Sequence, residues 1–361
     1  VSAFADVPEQ PEAKRLLEVA LADAPAHAYL FHGPAGVGKR TAARAFAGVL
    51  LGDPRRVDAG THPDLRLIEA LGEMIRIDEI RALHHDLHMR PFEGDRRVYL
   101  ILDAHRMNDD AAAALLKDLE EPPSYATLVL VADELGSLPE TIRSRCQLVP
   151  FRRLSRAAVA QWLAARAPDL AEDDAAVLAR VAAGRLDRAA RLLDSDARAQ
   201  RAALLERARA VYRAEEFHPS EAAAVVLDAA GTRAAAARER EQELVGGLDL
   251  PPREAEQRVK RVGFGAEQDE VLASLDDLGA WYRDLVLVGA GAESAVVNAD
   301  RLDELREDAA GGFAPDAEAA AALVRQTWRE AEEFNLNATL LLEALFVRLR
   351  RAFSRVPTAA R

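Results

Sequence analysis

The stretch Gly33-Pro34-Ala35-Gly36-Val37-Gly38-Lys39-Arg40 constrains this chain more than any other. It follows the apolar run Ala28-Tyr29-Leu30-Phe31 and precedes an alanine-rich helical stretch from Thr41 to Leu51. Strand, glycine loop and helix in that order are the context a phosphate-binding loop needs. Glycine lets backbone N–H groups turn inward around phosphate oxygens, and the helix N-terminus adds partial positive charge. Gly33, Gly36 and Gly38 are the candidate loop positions, and Lys39 is the candidate cation for the β- and γ-phosphates. The pattern breaks where a Ser or Thr hydroxyl should ligate Mg²⁺, because Arg40 stands there. A guanidinium has five donors and no lone pair for a metal. Thr41 is one residue late, about 100° around the helix axis, and does not simply replace it. The loop therefore reads as built for phosphate but poorly equipped for the metal that hydrolysis requires.

With 361 residues the chain is long enough for two or three domains and a sizeable core. Half the residues are hydrophobic and 30% charged, with a formal net charge of −13. That acidity argues against a protein that grips nucleic acid over a broad surface by itself, since phosphate neutralisation supplies most such affinity. Cys146 is the one cysteine, which excludes a disulfide or a cysteine-based zinc site within the chain. No apolar run is long enough to span a membrane and no secretory signal is visible, so a cytoplasmic location is expected.

Apolar patterning predicts strands at His27–His32, Leu65–Ile68, Val98–Leu102, Thr127–Val131 and Gln147–Phe151, alternating with helices. This is the pattern of an α/β parallel sheet with ligands at the C-terminal ends of its strands. Residues 4–24 read as one helix before the first strand, and 52–63 as a polar connector. After Leu154 the strand signal stops. Short helices are expected over 155–195 with a break at Gly184, then longer ones over 199–245 and 268–290, punctuated by Gly246-Gly247 and Pro251-Pro252. A last helix is expected from Asp316 through Arg351.

A nucleoside triphosphatase of this kind needs an acid at the end of the third strand to hold Mg²⁺ and a neighbouring Glu to polarise water. Here the strand runs Leu100-Ile101-Leu102-Asp103-Ala104-His105, with one acid where two are expected. Successive strand residues face opposite sides, so Asp103 does not fill both roles. His84, His85 and His88 crowd one helix without a partnering carboxylate motif, and a solvated helix face is the better reading.

Leu115-Leu116-Lys117-Asp118-Leu119-Glu120-Glu121-Pro122-Pro123 and Thr141-Ile142-Arg143-Ser144-Arg145-Cys146 are distinctive, and together they resemble the clamp-loader branch of the AAA+ ATPases. His27-Ala28-Tyr29-Leu30-Phe31, Gly60-Thr61-His62-Pro63-Asp64 and Asn335-Leu336-Asn337 support the resemblance, which runs from near Phe4 to about Leu349 and is thin between 195 and 275. It implies an AAA+ α/β domain over 1–153 with a parallel five-stranded sheet, a helical lid over 154–196, and an all-helical collar over 197–361. Within this family the Ser-Arg-Cys arginine, here Arg145, is the finger that reaches a neighbouring subunit's ATP site. An arginine supplied in trans stabilises charge developing on a γ-phosphoryl group.

The branch contains active motor subunits and a related subunit whose own site is degenerate. Four departures favour the second kind: Arg40 at the metal position, Asp103 with Leu102 in place of two acids, Ala132 beside Asp133 at the fourth strand's sensor position, and Asp187 where a sensing arginine is expected, with Arg188 adjacent. Two more concern structure. Many relatives carry a four-cysteine zinc module where Leu51 to Ala59 forms a short connector, so no zinc is expected, and Ala113 stands where Asn is common.

The partners implied are motor subunits of the gamma/tau type and a delta subunit in a five-subunit assembly, with a sliding clamp and primed DNA reached through that assembly. No membrane is implied. Gly33, Gly38 and Lys39 remain compatible with weak, metal-independent binding of ATP or ADP. A motor ATPase using Lys39, Thr41 and Asp103 is the competing reading, and a module that holds nucleotide permanently is a third.

Overall fold

A computed structural model describes residues 3–23, 25–70, 74–136, 138–246, 251–333 and 336–354. Gly247 and Asn335, singled out above, lie outside the described residues. The chain divides into two compact units, Val1–Glu172 with Ala183–Ala189, and Asp173–Ala182 with Ala190–Arg361.

The first unit runs α1 (Pro11–Ala22), β1 (Ala28–His32), α2 (Lys39–Leu50), α3 (Pro54–Asp58), β2 (Leu65–Ile68), α4 (Ile77–Leu87), β3 (Arg97–Ile101), α5 (Asp109–Glu120), β4 (Ala126–Ala132), α6 (Glu140–Arg143), β5 (Gln147–Pro150) and α7 (Arg156–Arg166). The five strands form one parallel sheet in the order β2-β3-β4-β1-β5, with Leu30 of β1 level with Leu130 of β4 and Leu148 of β5. Side chains alternate along each strand. Leu30, Tyr99, Ile101, Leu128 and Leu130 pack with Ile80, Leu83 and Leu115 on one face. Tyr29, Phe31, Val98, Leu100, Val129 and Val131 pack with Leu17, Ala43 and Phe46 on the other. Cover on both faces is why the central strands read as unbroken apolar runs.

Parallel strands bring their C-terminal ends to one edge of the sheet. The glycine loop follows β1, Asp103 lies just beyond β3, and Asp133 follows β4.

Two helices, α8 (Glu172–Val181) and α9 (Leu186–Leu193), span the division in sequence. The second unit continues with α10 (Ser195–Arg213), α11 (Pro219–Gly246), α12 (Pro252–Gly289), α13 (Leu302–Ala310), α14 (Ala314–Glu333) and α15 (Ala338–Phe353). Its core gathers Trp281, Tyr282 and Leu278 of α12 with Leu342, Leu345 and Phe346 of α15. The fully buried Asp308 accepts from Arg209, Arg213 and the Tyr212 hydroxyl. None of the helices among the described residues is long and apolar enough to cross a membrane.

Several helix boundaries differ from the periodicity. The first helix starts at Pro11 because proline favours the first helical position and pushes the residue before it out of the helical region. Residues 53–58 hold a short helix capped by the Asp53 side chain, which accepts from Arg56 N–H. The 199–245 stretch divides at Ala214, and a second helix opens at Pro219. The 268–290 stretch is the latter part of a helix that begins at Pro252. Asn337 ends the expected 316–351 helix by capping a new one, its side chain accepting from Leu340 N–H.

Candidate functional site

Gly33, Gly36 and Gly38 adopt φ of 136°, 70° and 96°, values open to glycine at little cost. Gly38 is the N-cap of α2, so the loop ends at the positive end of a helix dipole. At Gly33 the neighbourhood forbids a side chain as well: an added Cβ would lie 2.2 Å from the Phe151 carbonyl oxygen. Gly33→Ala is expected to destabilise the fold by more than about 2 kcal/mol, backbone strain adding to an immovable backbone clash. Gly52→Ala is the control, since Gly52 has φ of 73° and nothing within 4 Å of its Cβ position. Urea midpoints that fall equally in the two variants would contradict this account.

The loop is strapped from the N-terminal side. Gln10 donates to the Arg152 carbonyl at 2.6 Å and accepts from Arg152 N–H at 2.9 Å, and its amide also reaches the Val37 carbonyl at 3.4 Å. Glu9 accepts from the Ser155 N–H and hydroxyl. Both Glu9 and Gln10 have positive φ, so this segment is a turn rather than the helix expected over 4–24. A second strap comes from the start of α9, where Leu186 N–H donates to the Gly36 carbonyl at 2.6 Å. The Asp187 carboxylate packs on Gly36, with Oδ1 1.9 Å from where a Cβ would stand.

The two loop cations are held by groups of the chain itself. Lys39 is 4% exposed; its ammonium donates to the Gly33 carbonyl at 2.6 Å and the Pro34 carbonyl at 2.5 Å, and pairs with Asp133 Oδ1 at 2.9 Å. An ammonium has three donors, and these partners match them one for one. Burial pushes the ammonium below the usual lysine range, opposed by Asp133, Asp103 and Asp187. Arg40 pairs with Asp103, and its other terminal nitrogen lies 3.8 Å from Glu69. Asp103 takes a left-handed conformation, φ 54°, at the head of a short 3₁₀ turn. Thr41 lies on the exposed side of α2.

These residues do not fit a Mg²⁺ ion. Arg40 offers donors only, and Asp103, the one carboxylate just beyond β3, is already the partner of that guanidinium. A phosphate would have to displace Asp133 from Lys39.

His105 lies beneath the same edge, its Nδ1 accepting from Asp133 N–H at 3.2 Å. Burial holds its imidazole below the usual histidine range, with Asp133 opposing, and burial also lowers His32. A histidine whose folded pKa is depressed favours unfolding when protonated. Stability is therefore fullest above about pH 6.5 and declines as pH falls through that value, by at most about 1.4 kcal/mol per pH unit for each group. Urea denaturation at pH 7.5 and 5.5 is expected to show this loss, and His105→Asn, whose Oδ1 keeps an acceptor on Cγ for Asp133 N–H, should reduce it. An unchanged loss in the variant would remove His105 from the account.

Arg145 belongs to a different constellation. It lies in the turn between α6 and β5, where Nη1 donates to the Thr141 carbonyl at 2.8 Å and Nη2 to Glu120 of α5 at 2.5 Å. Its neighbour Cys146 packs at the edge of the sheet core, and burial pushes that thiol up to about 12, which removes it as a nucleophile. His84 is not simply on a solvated face: its Nδ1 meets Oδ1 of the buried Asp118 at 2.5 Å, and the His88 ring stands edge-on to it.

The structure thus brings Gly33, Gly36, Gly38, Lys39, Arg40 and Asp103 together and places Arg145 in a separate cluster. Sequence reasoning named Asp133 and Asp187 only as departures at sensor positions, and missed Gln10 and Glu120 as partners. Their partners lie 142 and 25 residues away along the chain.

Residues 9–155 match the family model described as DNA polymerase III, delta subunit. The DNA polymerase III subunit delta' of Pseudomonas aeruginosa is 36% identical over 196 residues, 50% of this chain and 60% of that protein. The delta' subunit of Bacillus subtilis is 35% identical over 42% of this chain and 50% of its own length. The tau subunit of Bacillus subtilis is 34% identical over 43% of this chain and 30% of its length. The alignments thus span from about a third to under two thirds of these relatives. Among solved structures, a gamma subunit-related protein of Thermotoga maritima superposes with a TM-score of 0.47 at 17% identity, over 95% of this chain and 99% of that one.

Proposed function

We propose that this chain, whose residues 9–155 belong to the clamp-loader family of DNA polymerase III subunits, acts as the non-motor, delta-prime type of subunit. In this reading it presents Arg145 to the ATP site of a neighbouring motor subunit of the gamma/tau type. ATP-driven closure of a five-subunit assembly would then help a delta subunit open the sliding clamp and place it on primed DNA in the cytoplasm. The AAA+ part would comprise 1–153, the lid 154–196 and the collar 197–361. An acidic chain, net −13, suits an end-piece that leaves most DNA contact to its partners.

One observation carries this reading. Both cations of the glycine loop are taken by carboxylates at the same sheet edge, the buried Lys39 by Asp133 and Arg40 by Asp103, while Arg145 lies apart from that site in a solvent-exposed pair with Glu120. Resemblance alone separates the subunit types weakly, because tau and gamma proteins match nearly as well as delta' proteins.

The test is ATP hydrolysis by the purified chain, alone and then with motor and delta subunits, clamp and primed DNA. Silence alone and Arg145-dependent hydrolysis in the mixture is the expected result. Magnesium-dependent turnover by the chain alone, abolished by Lys39→Ala, would overturn the proposal in favour of a motor ATPase. Stoichiometric nucleotide retained through purification without turnover would mark a structural nucleotide module instead.

A further inference from the structure

We propose that Glu120 is the resting partner of Arg145, a positioning residue that holds the guanidinium in place until a phosphoryl group of the neighbouring subunit takes it over. The inference rests on the finger reading above and deepens it. Glu120 is the last residue of α5. A carboxylate there faces the negative end of the helix dipole and gains from a cation brought against it. Arg145 supplies that cation from the α6–β5 turn, with Nη2 on Glu120 Oε1 at 2.5 Å.

The second contact differs in kind. Nη1 donates to the carbonyl of Thr141, four residues earlier in α6, at 2.8 Å. Thr141 belongs to α6, the helix that leads directly into the turn carrying the arginine, and α6 is anchored by the buried Ile142. This neutral anchor persists when the carboxylate lets go. The guanidinium is thus held at one end by the adjoining helix and at the other by an exchangeable anion.

Magnitude decides what such a contact can do. The Arg145 and Glu120 side chains are 34% and 50% exposed, so the pair is screened by water and salt. Exposed pairs of this kind shift an equilibrium by at most about fivefold. That suffices to select one arrangement of a long side chain, but not to withhold it from a multiply charged phosphoryl group, which takes the same guanidinium fork with stronger bonds. Glu120 therefore competes mildly for Arg145 and does not lock it away.

The expected result follows from that competition. In the reconstituted assembly, Glu120→Gln should lower the ATP concentration for half-maximal hydrolysis by up to about fivefold and leave the rate at saturating ATP within twofold. Glu121→Gln makes the same change of charge on the adjacent residue and should leave both values alone. In the isolated chain, the Arg145 side-chain nitrogen resonances should move in Glu120→Gln and stay in Glu121→Gln. An unchanged half-saturation, or unmoved resonances, would overturn the role of Glu120. If Arg145→Ala also left hydrolysis intact, the finger reading would be the one that failed. If Arg145→Ala lowered it, the finger would stand and only the resting contact would fall.

Discussion

Replacing Arg145 with alanine is expected to lower hydrolysis at the neighbouring subunit's ATP site by on the order of 10³-fold, about 4 kcal/mol of transition-state stabilisation. The size comes from where the charge develops. A guanidinium placed against a γ-phosphoryl group acts on charge that grows only in the transition state, inside a site from which water is excluded. Within this chain the same side chain has one carbonyl and one half-exposed carboxylate as partners. Its removal should therefore change the stability of the isolated subunit by no more than about 1 kcal/mol. In the proposed assembly, sites completed by other subunits would keep their own arginines, so the deficit should be read at the single affected site, by pre-steady-state hydrolysis with the other motor sites disabled. Full activity there, with the variant folded and assembled, would end the finger assignment.

Asp308→Ala should have the largest effect on stability, about 3 kcal/mol in the second unit. Asp308 is fully buried and gathers Arg209 from α10, Arg213 one turn later and the Tyr212 hydroxyl at 2.6 Å. Tyr212 in turn accepts from the Trp281 indole N–H at 3.1 Å, so the network reaches the core of α12. Truncation leaves the hydroxyl and much of two guanidiniums without their acceptor, and unpaired buried donors are expensive. The value sits at the low end of the range for broken buried pairs because Glu307 still engages both arginines from the surface. Asp308→Asn retains an acceptor oxygen and should lose less. Hydrogen exchange over α10 and α13, followed in urea, reads the effect where it arises. Protection in Asp308→Ala equal to that of the unaltered protein would show that the carboxylate does not clip these helices together.

How much of this was legible beforehand depends on the distance over which each feature is decided. The central strand positions were, to within a residue or two, because a parallel strand covered on both faces is predominantly apolar, as Val98 to Ile101 are. The loop glycines and Arg40 were legible for local reasons too: positive φ favours glycine, and a guanidinium has no lone pair to give a metal. Helix ends were less so, because alanine-rich stretches continue a helical pattern through a boundary. The breaks before Pro219 and at Asn337 are set by one proline and one capping side chain.

The local chemistry of this chain was thus determined by its sequence alone: a glycine loop between strand and helix, an arginine directly after its lysine, a Ser-Arg-Cys arginine, and strands alternating with helices. Only the tertiary structure decided the strand order β2-β3-β4-β1-β5 and the partners of the charges. Lys39 meets Asp133 and Arg40 meets Asp103 because three parallel strands end at one edge of the sheet. Arg145 meets Glu120 because α6 returns beside the end of α5. Nothing local encodes those meetings, since an ion pair depends on separation in space, and folding sets that separation through the packing of apolar side chains far from the charges themselves.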